Sequence, residues 1–202
     1  MRAVIALVVI VLVTGVFGMS QISPVMSKTK LTKTRLVNQM VNYEFIKKKI
    51  KDEEDLKILP YTLKYKEETG KRVIEKFKTG GWGHKIKKGE THAHFTYTKQ
   101  YWEGIFEKDF EIALNGARNI IPEDTIDPIA FGILVEMVYQ MGEDGVKGFK
   151  KAIGHLKKKE YSLAADQLLY NYDDNGAQTG LTKWHNQTAK RANDASDRLS
   201  AL

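Results

Sequence analysis

Glu53-Glu54-Asp55-Leu56-Lys57-Ile58-Leu59-Pro60-Tyr61, followed after a charged hairpin by Thr79-Gly80-Gly81-Trp82-Gly83-His84, is the stretch whose reading organises this chain. It sets a carboxylate at a helix end and a hydroxyl beside glycines. Tyr43, Ile46, Ile50 and Glu54 recur at helical spacing, which turns Glu54 towards whatever that apolar face covers. A general acid needs a carboxyl group whose proton affinity is raised by partial burial, and a Glu closing an apolar face just before a sheet suits that role. On residue type alone, Glu53, Glu54 and Asp55 in a lysine-rich helix end read more often as a solvated surface.

Working outward, the 202 residues with 42% hydrophobic content are enough for one domain or two small lobes around a real core. The net charge of +7 favours anionic partners such as nucleic acid, lipid headgroups or a carboxylate-bearing cell wall. The lysines are scattered among acids rather than striped with aromatics, so no nucleic-acid partner is expected. With no cysteine, disulfides, zinc-thiolate sites and thiol catalysis are excluded. His92 and His94 flank Ala93, but no carboxylate–histidine set at ligand spacing surrounds them, so neither a metal nor a cofactor is expected.

Arg2 precedes an uncharged apolar run, Ala3 to Met19, readable as a signal peptide or as a retained signal anchor. The charge arrangement expects the body of the protein on the periplasmic face of a bacterial inner membrane, with residues 3–19 as the membrane contact. Residues 20–34 read as a tether, and residues 35–202 as the folded domain. From Arg35 an apolar stripe of Leu36, Val37, Met40, Val41, Phe45, Ile46 and Ile50 predicts a helix that delivers Glu54.

Tyr61 to Thr79 alternates about Glu68-Thr69-Gly70-Lys71 and predicts a β-hairpin. Thr96 or Thr98 is expected to cap a helix running to about Asn119, and Asp127-Pro128 to open an apolar helix that ends at Gly142. Val146, Phe149, Ile153 and Leu156 predict one further helix. Tyr161 to Tyr170 predicts another, capped near Ser162. Asp173 to Gly180 reads as a polar turn, and a last helix is expected from Thr188 towards Leu199.

The spacing Glu54-x-Leu56 with Pro60-Tyr61, then Thr79-x-Gly81-x-Gly83-His84, resembles the active-site lobe of the phage-type lysozymes, the muramidase endolysins of tailed bacteriophages (glycoside hydrolase family 24). Met137-Val138-Tyr139-Gln140-Met141-Gly142-Glu143-x-Gly145-Val146-x-Gly148-Phe149 and Trp184-x-Asn186-Gln187-Thr188-x-x-Arg191 are similar, in the same order, to segments of the T-even-phage branch of that family. The resemblance runs from about Phe45 to Leu202. It implies an α+β, mostly helical, two-lobed fold, with a small β-hairpin lobe over about 45–97 and a helical lobe over about 98–202.

It also implies cleavage of the β-1,4 bond between N-acetylmuramic acid and N-acetylglucosamine in peptidoglycan, whose glycan strands would be the partner. Glu54 would be the acid, Thr79 would hold the attacking water, and Arg191 would reach back to Glu54. Gly83, His84, Gln140, Trp184, Asn186 and Gln187 would line the substrate cleft. One position departs from the pattern. Where the family carries an Asp, nine residues beyond the Glu, this chain has Leu63, and the hairpin is about ten residues longer. Either Glu67 or Glu68 near the hairpin tip folds back to activate water, or the site is weakened to slow catalysis or to glycan binding alone.

Overall fold

The computed structural model describes residues 40–66, 72–90 and 97–202, of which 63–66 and 72–77 as backbone alone. The expectations for the apolar N-terminal run, the tether, Leu36, Val37, Glu67, Glu68, Gly70, His92, His94 and Thr96 lie outside the described residues. No helix among the described residues is long and apolar enough to cross a membrane.

The first helix, α1, spans Tyr43–Glu53, with the Asn42 side chain accepting from the Phe45 N–H at 3.0 Å. The stripe expected from Arg35 is therefore corrected. Met40 lies outside the helix and is 74% exposed, and Phe45 faces outward on it, so Ile46 and Ile50 carry the buried face, with Val41 and Tyr43 packed half-buried beside them. Ile46 packs where a side chain on Gly132 would stand, with its Cδ1 3.2 Å from that Cβ position. Glu54 follows as the C-cap in extended backbone.

The predicted hairpin is present and begins earlier. Strand β1 (Lys57–Lys66) pairs antiparallel with β2 (Arg72–Gly81), and β3 (His84–Lys85) extends the sheet in the order β1-β2-β3. Tyr61 stands opposite Thr79, which in turn faces Lys85. The register slips between the pairs Thr62–Lys78 and Lys64–Ile74, so Glu75, Lys76 and Phe77 of β2 face Leu63.

Helix α2 (Lys99–Ile120) is capped by Thr98, as expected, and contributes the fully buried Trp102 and Phe106. Helix α3 (Pro128–Lys147) opens on the Asp127 cap and breaks at Gly142, whose φ of 77° ends the regular helix there. Buried Phe131, Leu134, Val135 and Val138 make α3 the central element of the helical lobe.

The helix expected over Val146 to Leu156 is two pieces. Val146 closes α3, and α4 (Lys150–Lys157) starts afresh after Phe149. Helix α5 (Tyr161–Leu169) starts after Glu160, not at a Ser162 cap. The expected polar turn is the loop of a second hairpin, β4 (Tyr170–Tyr172) with β5 (Gln178–Leu181). The last helix, α6 (Lys183–Ser200), begins five residues earlier than expected and kinks at Thr188, whose hydroxyl donates to the Trp184 carbonyl at 3.0 Å.

The architecture is thus α+β and mostly helical, with a three-stranded antiparallel sheet beside a helical lobe.

Candidate active site

Two packing events bring the end of β2 onto the end of α1. The first is the seating of Trp102. Its ring lies against Gly80 and Gly81, where an added Cβ would come within 2.6 Å of the indole at either position, and its Nε1 donates to the Ile58 carbonyl at 3.2 Å. Only glycine lets a fully buried tryptophan lie flat on this strand. The second is the Tyr139 hydroxyl, which donates to the Trp82 carbonyl at 2.6 Å and ties α3 to the strand end. Burial, reinforced by the Asp109 and Glu54 charges, pushes the Tyr139 phenol far above its ordinary value, so it remains a donor.

Gly83 is thereby held against Glu54. It has φ +83°, and a Cβ there would lie 3.3 Å from Glu54 Oε2. The other carboxylate oxygen, Oε1, accepts from Arg191 Nη1 at 2.5 Å. Arg191 stands on α6 one turn beyond the kink at Thr188. Glu54 is about a quarter exposed, its two oxygens differently placed: one bound to a cation, the other beside a bare backbone.

Thr79 is 3% exposed, and among the described residues its hydroxyl has no hydrogen-bond partner. A buried hydroxyl without a partner costs about 1–3 kcal/mol, and Thr79 lines neither of the two cavities described below.

His84 is fixed by acids. Its Nδ1 lies 2.8 Å from Asp109 and its Nε2 3.4 Å from Glu90. Burial alone would lower the pKa of this imidazole, but the two carboxylates outweigh it and hold it above the ordinary value.

The remaining expected cleft residues divide. Gly83, His84 and Gln140 line one cavity of about 440 Å³, whose wall also includes Asp109 and Tyr139. Gln140, Trp184 and Gln187 line a second of about 700 Å³ with Phe149, Lys151 and Tyr170. Gln140 borders both, and its side-chain oxygen accepts from Trp184 Nε1 at 2.8 Å. The structure does not bring Asn186 into either cavity; it is exposed on α6. Glu54 lines neither; Gly83, which lines the first, stands against it.

Sequence reasoning missed Tyr139 as a tether, although it stands in the quoted segment before Gln140. The backbone place of Glu75 opposite Leu63 depends on a register slip that alternation alone does not reveal.

Compared with known proteins, the chain is 33% identical over 95 residues to a protein of Dictyostelium discoideum described as "Probable T4-type lysozyme 2". The match covers 45% of this chain and 49% of that protein, so the chain spans about half of that relative's length. No family model matches the chain. The similarity and the α+β, mostly helical fold with its small sheet agree with a lysozyme-like protein.

Proposed function

We propose that this chain is a muramidase, a glycoside hydrolase that cleaves the β-1,4 bond between N-acetylmuramic acid and N-acetylglucosamine in peptidoglycan. The observation that carries the reading is the Glu54 carboxyl held by Arg191 through one oxygen, with the other beside Gly83 at the end of the strand that bears Thr79. In this reading Glu54 Oε2 gives its proton to the glycosidic oxygen as the bond breaks through an oxocarbenium-like state. The resemblance gives the Thr79 hydroxyl the role of holding the attacking water; in the structure that hydroxyl is buried and lacks a partner among the described residues. Amides of Gln140 and Gln187, with Trp184, bind sugar hydroxyls and acetamides along the helical lobe.

The base is the departure from the family pattern. Leu63 cannot accept a proton, and the backbone register puts one carboxylate-bearing residue, Glu75, among the three that face it. Leu63 at the Asp position favours a second reading, a peptidoglycan-binding protein on a lysozyme frame with catalysis weakened or lost. The apolar run Ala3 to Met19 supports delivery to the periplasmic face of an inner membrane, whether cleaved or kept as an anchor.

Release of reducing ends from purified sacculi decides between the readings. Hydrolysis that Glu54→Gln abolishes supports the enzyme. Sedimentation with sacculi and no reducing ends supports the binder. The same assay with and without residues 1–34 tests whether the N-terminal segment is needed for activity.

A further inference from the structure

Arg191 owes its direction to the residue beside the proposed acid. Besides the Glu54 contact, its Nη2 donates to the Glu53 backbone carbonyl at 2.8 Å, and its Nε lies 3.4 Å from Glu53 Oε2. The other oxygen of Glu53 accepts from Lys49 Nζ at 2.8 Å, and Lys49 also lies 2.9 Å from Asp194. Asp194 meets Arg198 at 3.2 Å, and Arg198 ends the row in paired bonds to Glu136 at 2.9–3.0 Å. Charge therefore alternates from Glu54 through Arg191, Glu53, Lys49, Asp194 and Arg198 to Glu136. Helix α1 and its cap supply one side, α6 the other, and α3 the buried end.

Glu53, Glu136 and Asp194 bring carboxylate oxygens within 4.8 Å of one another, but Lys49 and Arg198 already bond them. The cluster is a cation-filled network whose outlet is Arg191. A guanidinium held at one nitrogen alone can swing about its stem; here both Nη atoms donate hydrogen bonds and the Glu53 carboxylate lies 3.4 Å from Nε as an ion pair, which restrains the plane. That plane decides which Glu54 oxygen is bound and which is left beside Gly83.

We infer that Glu53 is a positioning residue, whose carboxylate beside Nε restrains the Arg191 guanidinium so that Glu54 Oε1 is bound and Oε2 is left beside Gly83. The inference rests on the reading of Glu54 as the acid. It assigns Glu53 no contact with substrate. Catalytic groups misplaced by about 1 Å lose on the order of a hundredfold in rate, so partial release of Arg191 is expected to register in turnover before it registers in binding.

The test is a double-mutant cycle between Glu53→Gln and Arg191→Gln, read as kcat and KM on soluble peptidoglycan fragments and as the 13C signal of the Glu54 carboxyl. Glu53→Gln is expected to lower kcat about tenfold with KM unchanged, and to change kcat less than about twofold when Arg191 is already replaced. A loss confined to KM, no loss, or an equal loss in both backgrounds overturns the inference. If the unaltered chain releases no reducing ends, the muramidase reading fails and the carboxyl signal judges Glu53 alone. That signal is expected to move with Glu53→Gln only while Arg191 is present. An equal displacement in both backgrounds, or none, overturns the positioning role. Should Glu53→Gln not fold, Glu53→Asp, which keeps the charge for Lys49 but draws it back from Nε, enters the same cycle with the same deciding outcomes.

Discussion

The Arg191 guanidinium donates to Glu54 at 2.5 Å across 137 positions of sequence, and this bond joins the last helix to the end of the first. Glu54→Gln keeps an oxygen for Arg191 and the volume of the side chain, but has no acidic proton to give. Peptidoglycan hydrolysis is expected to fall by about 10²–10⁴-fold while the folded state persists. Reducing-end release at matched protein concentration measures this. A variant keeping a tenth or more of the activity would mean that another group supplies the proton.

Gly83→Ala tests the other oxygen. The residue sits at φ +83°, a conformation L side chains rarely adopt, and the new Cβ would lie 3.3 Å from Glu54 Oε2. The backbone strain alone is expected to cost about 1 kcal/mol or more in denaturant unfolding. Turnover should fall further than that loss of stability explains, because the methyl group stands against the proposed proton donor. Equal activity per folded molecule would remove Gly83 from the proposed site.

What the sequence made legible, and what it hid, divides along physical lines. Thr98, Asp127-Pro128 and Gly142 were readable because caps and breakers act within one turn of chain, and each bounds its helix as expected. Met40 and Phe45 misled because an apolar stripe reports a face without saying whether anything packs on it; the helix starts at the Asn42 cap instead. The short strands β4 and β5 were hidden by a stretch with no alternation, held by backbone pairing and by the Asp173 side chain accepting from two backbone N–H groups. In the site, no local pattern connects Glu54 to Arg191; family resemblance raised that pairing, and the geometry gives it a distance. Of the network behind Arg191, only the i,i+4 pairs Lys49–Glu53 and Asp194–Arg198 are local; the contacts that join the three helices leave no sequence signal.

His84 gives the fold a pH dependence with a definite sign. Its folded pKa is raised above the ordinary 6.5, because Asp109 and Glu90 outweigh the opposing effect of burial. Below about pH 6.5 the imidazole is protonated in both folded and unfolded chains, and the stabilisation is fully present. As pH rises past 6.5, the unfolded chain releases this proton first, so stability falls until the folded pKa has been passed. Urea unfolding at pH 5.5 and pH 8.5 should show a larger loss in the unaltered protein than in His84→Asn. At pH 5.5, Asp109→Asn should cost about 1.5–3 kcal/mol, the usual range for a hydrogen bond to a charged partner. An identical slope in His84→Asn would mean that other groups carry the dependence.

The missing carboxylate is open to a paired experiment. Across the slip between β1 and β2, the backbone of Leu63 stands level with Glu75, Lys76 and Phe77, so an acid lies opposite in the register even though the family's Asp position holds Leu63. If Glu75 activates water, Glu75→Gln should lower turnover by about 10²-fold or more with little change in KM, since the base acts only as the bond breaks. Leu63→Asp should then add little, and in the Glu75→Gln background should restore part of the loss. If the chain works without a base, Glu75→Gln should leave turnover unchanged and Leu63→Asp should raise it. Lysis unaffected by either substitution would place the second group elsewhere, and glycan binding without hydrolysis in all four proteins would favour the binding protein over the enzyme.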